Sequence, residues 1–457
     1  MLTQLAASEE NALLLDAGAL LFDKSTIAPG RQLDQAKINA AGIIEAYNLL
    51  GYEAVGVSTL DLAGGVDFLQ DLRGKSNFPW LSANLVDRER DNPLFTPFVV
   101  KEKAGLRIAI LGLTGSGAAN EPRLQENYRI LPWQDLLGKV IEELRAKSDL
   151  IILLSSLSPL ENEQISKEFS TIHIIVQAGT HPHNPSPVLI NNTLICQTDK
   201  QGKYLGQMRI NWHSSGVWQN MTNDLHLLKK QEYDRLAWQV KRMEQKGDPE
   251  TVYKDNPTAL KAYYKLAERM KIIEKQMHAL LPGDDKTDVN STFENAFLEI
   301  EPDIADDPTV EALLLATKKN VNALGRNAGS TIVLHGYAGS EACLPCHDEI
   351  GKRWLLTPHA RAYETLVQKN QQFNLNCVPC HVTGVSMLDQ DRSRALSLPE
   401  SLRQVGCETC HGPGAEHTKN PEKAKLEKSP AASVCLQCHT PEHDDNFQFE
   451  EDRKRVH

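Results

Sequence analysis

At 457 residues the chain exceeds what one ordinary hydrophobic core supports, so two or three domains are expected. Its 41% hydrophobic and 24% charged residues are those of a globular protein in water, and no run approaches the roughly 18 apolar residues of a membrane-spanning helix. A net charge of -11 without any Lys/Arg-rich run excludes a nucleic-acid binder, which needs a basic face.

The N-terminal stretch "MLTQLAASEENALLL" has no basic start, apolar segment and small-residue cleavage site of a secretory signal. Over residues 1–215, short apolar runs alternate with helical patterns. "NALLLDAGALLF", "YEAVGVS", "FPWLSANL", "LRIAILGLTG", "DLIILLSS", "IHIIVQAG" and "VLINNTLICQTD" read as buried strands bounded by turn residues. "DQAKINAAGIIEAYNLLG" and "WQDLLGKVIEELRAKS" carry helical periodicity, the first closed by Gly51 as a C-cap. The expectation is an α/β layered domain. Cys196, alone in an apolar run with no cation beside it, reads as a buried strand thiol. His173, His181 and His183 read as loop or strand-end residues.

Residues 216–330 change character. Tyr233, Leu236, Val240 and Met243 recur at spacings of three and four, and after "KGDPETVYKDNP" the rhythm resumes at Tyr263, Leu266, Met270, Ile273, Met277 and Leu280. Two long helices in an antiparallel hairpin fit this pattern, as a structural arm or a dimerisation surface. A strand-like "FENAFLEI" follows, then a helix from Asp307-Pro308 to near Gly325. Residues 331–457 have no long apolar run and are rich in Gly, Pro, Cys and His, so their cohesion needs another source.

That source is written as four pentapeptides: "CLPCH" (343–347), "CVPCH" (377–381), "CETCH" (407–411) and "CLQCH" (435–439). Each is the attachment pattern of a c-type haem. The thiol pairs Cys343/Cys346, Cys377/Cys380, Cys407/Cys410 and Cys435/Cys438 would add across porphyrin vinyl groups. The histidine after each pair, His347, His381, His411 or His439, would then bind iron from below. Zinc sites and disulfide frameworks do not require a histidine directly after every second cysteine. Four covalently attached haem c groups are therefore expected, and they would supply the missing apolar interior.

Each iron has a sixth position, and five histidines are left to fill four of them: His335, His359, His417, His443 and His457. His417 lies six residues after His411 across Gly-Pro-Gly, too short a path around its own macrocycle, so it should reach a neighbouring haem. His443, four residues after His439, is limited in the same way. Such cross-ligation draws haems into close pairs.

"YAGSEACLPCHDEIGKRWLLTPHARAY", "CVPCHVTG", "VGCETCHGPGAEH" and "VCLQCHTPEHDDNFQF" resemble the tetrahaem cytochrome c family that serves hydroxylamine oxidation, over about 337–457. The resemblance implies a mostly α and irregular domain, distal histidines at His359 and His417, and a further one in the tail at His457. In that family one haem can be five-coordinate. Five spare histidines here favour mainly bis-histidine ligation, and with it electron transfer over substrate binding.

The first domain resembles the calcineurin-like metallophosphoesterases of the 5'-nucleotidase branch over about 1–210, which implies a four-layer αββα fold. That family's chemistry needs two adjacent metals. Its Gly-Asp reads Gly18-Ala19 here, its Gly-Asn-His-Glu reads "STLD" with Thr59 and Leu60 at the ligand positions, and its Ser-His reads Ser155-Ser156. "AGTH" keeps His181, and a one-step shift presents His181 with His183. The strand bearing the family's first Asp-x-His would precede residue 1. One or two histidines without a carboxylate cannot build a binuclear site, so a pseudo-enzyme is expected.

The combined expectation is an exported multihaem cytochrome, periplasmic or extracellular as the haem chemistry implies. Its partners would be redox proteins, with no nucleic acid and no transmembrane segment, and its phosphatase-like domain would serve docking or assembly. A redox enzyme acting on a small nitrogen or sulfur species at an open haem is one competitor. A working metallophosphohydrolase with accessory haems is the other. A surplus histidine ligating the next subunit's haem would give a homo-oligomer or a haem-wire polymer.

Overall fold

The structure is a computed structural model that describes residues 2, 9, 11–116, 128–179, 184–198, 202–219, 225–245, 247–254, 256–279, 290–300, 304–326, 331–440, 443–444 and 447–456. His181, His183 and His457 lie outside the described residues.

The N-terminal apolar runs build two sheets. β1 (Leu15–Asp16), β2 (Ala54–Gly56) and β3 (Trp80–Leu81) form a parallel sheet in that order, connected by α1 (Arg31–Leu50) and α2 (Val66–Lys75). The following strands are β4 (Leu85–Asp87), β5 (Phe98–Lys103), β6 (Leu106–Leu113), β7 (Tyr128–Ile130), β8 (Leu150–Ser155), β9 (Ile174–Gln177), β10 (Val188–Ile190) and β11 (Thr193–Cys196). Six of them form the second sheet, in the order β10-β11-β9-β8-β6-β5, with an antiparallel pair at each edge. β4 and β7 make a separate antiparallel ribbon. α3 (Leu137–Arg145) and α4 (Pro159–Glu168) cover the second sheet.

Strand periodicity divides the core. Ile108, Ile110, Leu150, Ile152 and Leu154 face Ala17, Ala54 and Leu81 of the first sheet. Their alternates Ala109, Leu111, Leu113, Ile151 and Leu153 face Leu137, Ile141, Leu144 and Ile165 on the helices. Across the first sheet, Val55, Val57 and Trp80 meet Ala40, Ile44, Leu69 and Leu72 of α1 and α2. The layers run helix, sheet, sheet, helix. Both faces of the middle strands are buried, which is why they read as continuous apolar runs.

α1 closes at Gly51 in the left-handed region, φ 76° and ψ 36°, as the sequence indicates. Two runs read as single strands are each divided. "VLINNTLICQTD" is a hairpin turning at Asn191, whose φ is 56°, a conformation asparagine tolerates. "FPWLSANL" splits into β3 and β4, which join different partners. α4 begins at a capping box in which Ser158 and Glu161 satisfy each other's backbone N–H groups, a signal written in "SPLE".

β12 (Tyr204–Asn211) leads into α5 (Leu225–Glu244) and α6 (Pro257–Ala279), after which β13 (Thr292–Glu299) returns to pair with β12 along its whole length. The helices are antiparallel: Arg269 of α6 bonds Glu232 of α5, while Tyr263 bonds Glu244. Leu236, Val240 and Ile273 are buried. α7 (Pro308–Arg326) starts where Asp307 accepts the Thr309 and Val310 N–H groups. It packs on α1 at Gly42, where an added Cβ would lie 2.5 Å from Thr317 Oγ1. Among the described residues, no helix is long and apolar enough to cross a membrane.

The described residues of 331–456 form short helical turns, the longest being α8 (Asp348–Leu355), with no strand among them. Contrary to the expectation that porphyrins alone supply its interior, this region has a small protein core of its own, including Leu366, Leu375, Val378, Leu396, Leu398 and Leu402. Its apolar positions are scattered through turns and have no period to detect.

This core is fastened to the first domain. Gln35 of α1 donates to the Phe373 carbonyl at 2.7 Å and accepts from the Leu375 N–H at 2.9 Å. Asn322 of α7 donates to the Asn370 carbonyl at 2.6 Å. The segment entering the second Cys-x-x-Cys-His motif is thereby held at both α1 and α7.

Candidate haem centres

Each motif is wound into a helical turn that gathers its two thiols and its histidine. The His347 N–H donates to the Cys343 carbonyl at 3.0 Å and that of His439 to Cys435 at 2.9 Å. Val378–His381 is a 3₁₀ turn, and Cys407–His411 forms a short helix. The fold also brings the motifs together. The side chains of Cys343 and Cys407 are neighbours, as are those of Cys380 and Cys438. The Cys343 contact pulls Cys407 below its ordinary pKa, while burial pushes Cys410 up to about 11.

Cys346 differs from the other motif cysteines. It is exposed, whereas the other seven motif cysteines are half-buried. The physical reason is its place in the fold: Pro345–Ile350, which includes His347, is exposed throughout, so the first motif presents its second thiol to solvent. The protein encloses Cys343 against the third motif and leaves Cys346 outside that contact.

Histidines from outside the motifs stand opposite two inside them. The rings of His347 and His417 are 6.4 Å apart between centroids, with planes 24° from parallel. Those of His359 and His439 are 6.0 Å apart at 75°. An iron held between two imidazole nitrogens, at roughly 2 Å from each, separates the centroids by roughly 6 Å. Both spacings suit a metal between the rings.

The second ring nitrogens fix which atom is offered. Nδ1 bonds the Ala362 carbonyl in His381 (2.7 Å), the Glu427 carbonyl in His411 (2.6 Å), the Ala424 carbonyl in His417 (2.7 Å) and the Asp444 carboxylate in His439 (2.7 Å). A proton on Nδ1 leaves the Nε2 lone pair free, the arrangement of metal-ligating histidines. Burial, followed by the neighbouring His439, holds His359 below its ordinary pKa. Leu355 and Leu356 beside His359, Leu388, and Leu436 inside the fourth motif are at least half exposed, leaving apolar surface for porphyrin faces to cover. The donor set and its surroundings fit haem c.

His335 and His443 are exposed, and no second histidine ring faces His381 among the described residues. No group of three or more His, Cys, Asp or Glu side chains suited to a metal ion forms among the described residues.

One residue here was missed. Glu408, inside "CETCH", is buried and accepts from the N–H groups of Ala338 (2.8 Å), Gly339 (2.7 Å) and Gly414 (2.7 Å). It ties the loop before the first motif to the turn that launches His417. The signal was legible: the corresponding positions are Leu344, Val378 and Leu436, all apolar.

In the first domain, the loop after β1 keeps a strained backbone, with Gly18 at φ 104° and Ala19 at φ 61°. Asp61 holds it. This fully buried carboxylate accepts from the N–H groups of Ala19, Leu20, Leu21 and Ser58 and from the Ser58 hydroxyl, at 2.8–3.0 Å. Thr59 and Leu60 flank it. Ser155 donates to Asn162 and Ser156 to the Val57 carbonyl. His173 is a core residue: its Nδ1 accepts the Ile151 N–H at 3.0 Å, and burial lowers its pKa to about 4. Cys196 donates to the Ile175 carbonyl, and burial raises its pKa to about 12.

Comparison with known proteins finds two separate likenesses. Residues 342–412 match the family described as cytochrome c554 and c-prime, which spans the first three motifs. The N-terminal part is similar to Protein UshA of Yersinia enterocolitica, 24% identical over 237 residues, covering 45% of this chain and 42% of that protein. It is also similar to a 5'-nucleotidase of Vibrio cholerae, 25% identical over 230 residues, covering 43% and 40%. Among solved structures, the 5'-nucleotidase precursor of Thermus thermophilus superimposes with a TM-score of 0.47 and 17% identity, over 81% of this chain and 72% of that one. The chain thus spans about two-fifths of the length of these curated relatives, and it joins a part like 5'-nucleotidases to a part that matches a cytochrome c family.

Proposed function

We propose that this chain is an exported, periplasmic or extracellular multihaem cytochrome that carries electrons through four closely packed, mainly bis-histidine haems. The observation that carries this reading is the pairing of a motif histidine with a non-motif histidine at iron-spanning distance, in His347/His417 and His359/His439. Bound haem supplies the one-electron couple. The chain's own residues hold the rings, fix the imidazole tautomers and bring the four motifs into contact. In the phosphoesterase-like domain, Ala19, Thr59, Leu60, Ser155 and Ser156 occupy the metal positions of the resemblance, so this domain is read as a non-catalytic docking or assembly unit. The test is haem quantitation and intact mass on protein made with c-type maturation, followed by low-temperature EPR. Four covalent haems with mainly low-spin ferric signals are expected; a chain without covalent haem sinks the reading.

His381 supports a second reading, in which the second haem is open and acts on a small nitrogen or sulfur species. A high-spin signal from one haem in four, abolished by nitrite or hydroxylamine, would favour it. Phosphohydrolysis rests on the names of the relatives, UshA and 5'-nucleotidase. Turnover of nucleotides or bis(nitrophenyl) phosphate with added Mn²⁺ or Zn²⁺ would establish it, and no turnover would end it.

A further inference from the structure

Arg392 is buried, with only 4% of its surface exposed, and its guanidinium has almost nothing to bind. Nε has no hydrogen-bond partner, and Nη1 reaches only the thioether of Met387 at 3.5 Å, a weak acceptor. Its backbone N–H is taken by Gln32 of α1. The adjacent Asp391 carboxylate is engaged by the Ser393 N–H, and no carboxylate pairs with Arg392 among the described residues. An arginine cannot shed its proton to escape burial, and an unpaired buried charge is strongly destabilising. The site calls for an anion.

Its position narrows the choice. Arg392 opens the turn Arg392–Ser397, whose Ala395 and Leu396 share a core with Val378 inside the second motif. That turn packs against the second-motif turn Val378–His381, and Ser386, next to Met387, donates to Gln437 inside the fourth motif at 2.9 Å. Under the haem reading, on which this inference rests, each porphyrin at these motifs carries two carboxylates. We propose that the Arg392 guanidinium is the counter-ion of a haem propionate and raises the reduction potential of that haem. The planar fork suits a carboxylate bidentately. A fixed cation opposes the positive ferric state, so it favours the reduced one. The propionate comes from the haem of the second motif or from that of the fourth beside it.

The experiment is an EPR-monitored redox titration of the full, haem-loaded chain, comparing wild type with R392M and R392K. R392M keeps the volume and removes the charge. One midpoint should fall by about tenfold in its one-electron equilibrium, about 59 mV, with the other three unmoved. R392K should stay near wild type. Movement of the signal belonging to the His359/His439 pair assigns the propionate to the fourth motif; movement of the His381 haem's signal assigns it to the second, and movement of the His347/His417 signal overturns the placement. Unchanged midpoints in R392M, a uniform shift of all four, or R392K shifting as far as R392M overturns the pairing. Should R392M fail to fold, a density map of the wild-type holoprotein decides: a propionate oxygen within hydrogen-bond distance of the guanidinium supports the pairing, and a protein carboxylate or solvent there overturns it. Wild type without covalent haem overturns the functional reading and this inference with it, whereas haem-loaded R392M with unmoved midpoints overturns this inference alone.

Discussion

His417 stands opposite His347, 6.4 Å between ring centroids, although 70 residues of chain separate them. The first motif thus obtains its facing imidazole from a histidine six residues beyond His411 of the third. Replacing His417 with alanine should convert one haem in four to a high-spin or open form and leave the others low-spin. His359→Ala should do the same to the haem of the fourth motif. Low-temperature EPR and the high-spin charge-transfer band in the absorption spectrum read both outcomes; an unchanged spin state in either variant removes that histidine from the ligand set.

The two pairs differ in ring orientation, 24° from parallel in one and 75° in the other. Near-parallel imidazoles lift the degeneracy of the iron d orbitals, and near-perpendicular ones leave it almost intact. The ferric protein should therefore show one rhombic low-spin signal and one of the highly anisotropic type. The first should vanish in the His417 variant and the second in the His359 variant.

Glu408 holds three backbone N–H groups in a buried site. Glu408→Ala leaves those donors without an acceptor and should cost ~3 kcal/mol in denaturant unfolding. It should also loosen the turn at Gly414, so the His347/His417 signal should broaden or turn partly high-spin while the His359/His439 signal persists. Glu408→Gln, which keeps one carbonyl acceptor, should lose less.

His173 predicts a pH dependence. Burial lowers its pKa from 6.5 to about 4, while its Nδ1 accepts the Ile151 N–H and so requires the neutral ring. Between those values the unfolded chain binds a proton that the folded chain does not. Its contribution is complete above pH 6.5 and is lost as the pH falls toward 4, amounting to about 3 kcal/mol in total. Thermal unfolding followed by far-UV circular dichroism should show a steeper decline in Tm from about pH 7 to about pH 5 for wild type than for His173→Gln. Parallel profiles would remove this residue as the cause.

At Gly325 of α7 an added Cβ would meet the Phe373 Cβ at 2.3 Å. Gly325→Ala must push the second-motif segment off the helix, at a cost of about 1–3 kcal/mol. Limited proteolysis should then release the haem-bearing part sooner than in wild type, whereas an equal rate would show that this junction yields without cost.

The separate pieces were legible to the extent that their signals are local. Continuous apolar runs and their length marked β6, β8 and β9, and Gly51 marked the end of α1, because burial on both faces and a left-handed cap write themselves into a few adjacent residues. β5, β7 and β12 went unread: their exposed or half-exposed faces dilute the apolar pattern. The turn at Asn191 was hidden inside a run that looked continuous. Of the candidate site, the four Cys-x-x-Cys-His spacings are visible in the sequence because each lies within five residues. That spacing is the same in all four motifs, so it could not tell the exposed Cys346 from its seven half-buried counterparts. Arg392 was not legible, since a charged residue in a loop looks like any solvated one until its burial is known.

The sequence by itself determined four Cys-x-x-Cys-His motifs, five further histidines beside them, and a run of apolar strand patterns in the first 215 residues. Only the tertiary structure decided which histidine faces which, that α1 and α7 grip the segment before the second motif, and that Arg392 is buried without an anion. The physical reason is range. Attachment and helix caps act within about one turn of chain, whereas a facing ligand and a counter-ion are set by which distant turns pack together.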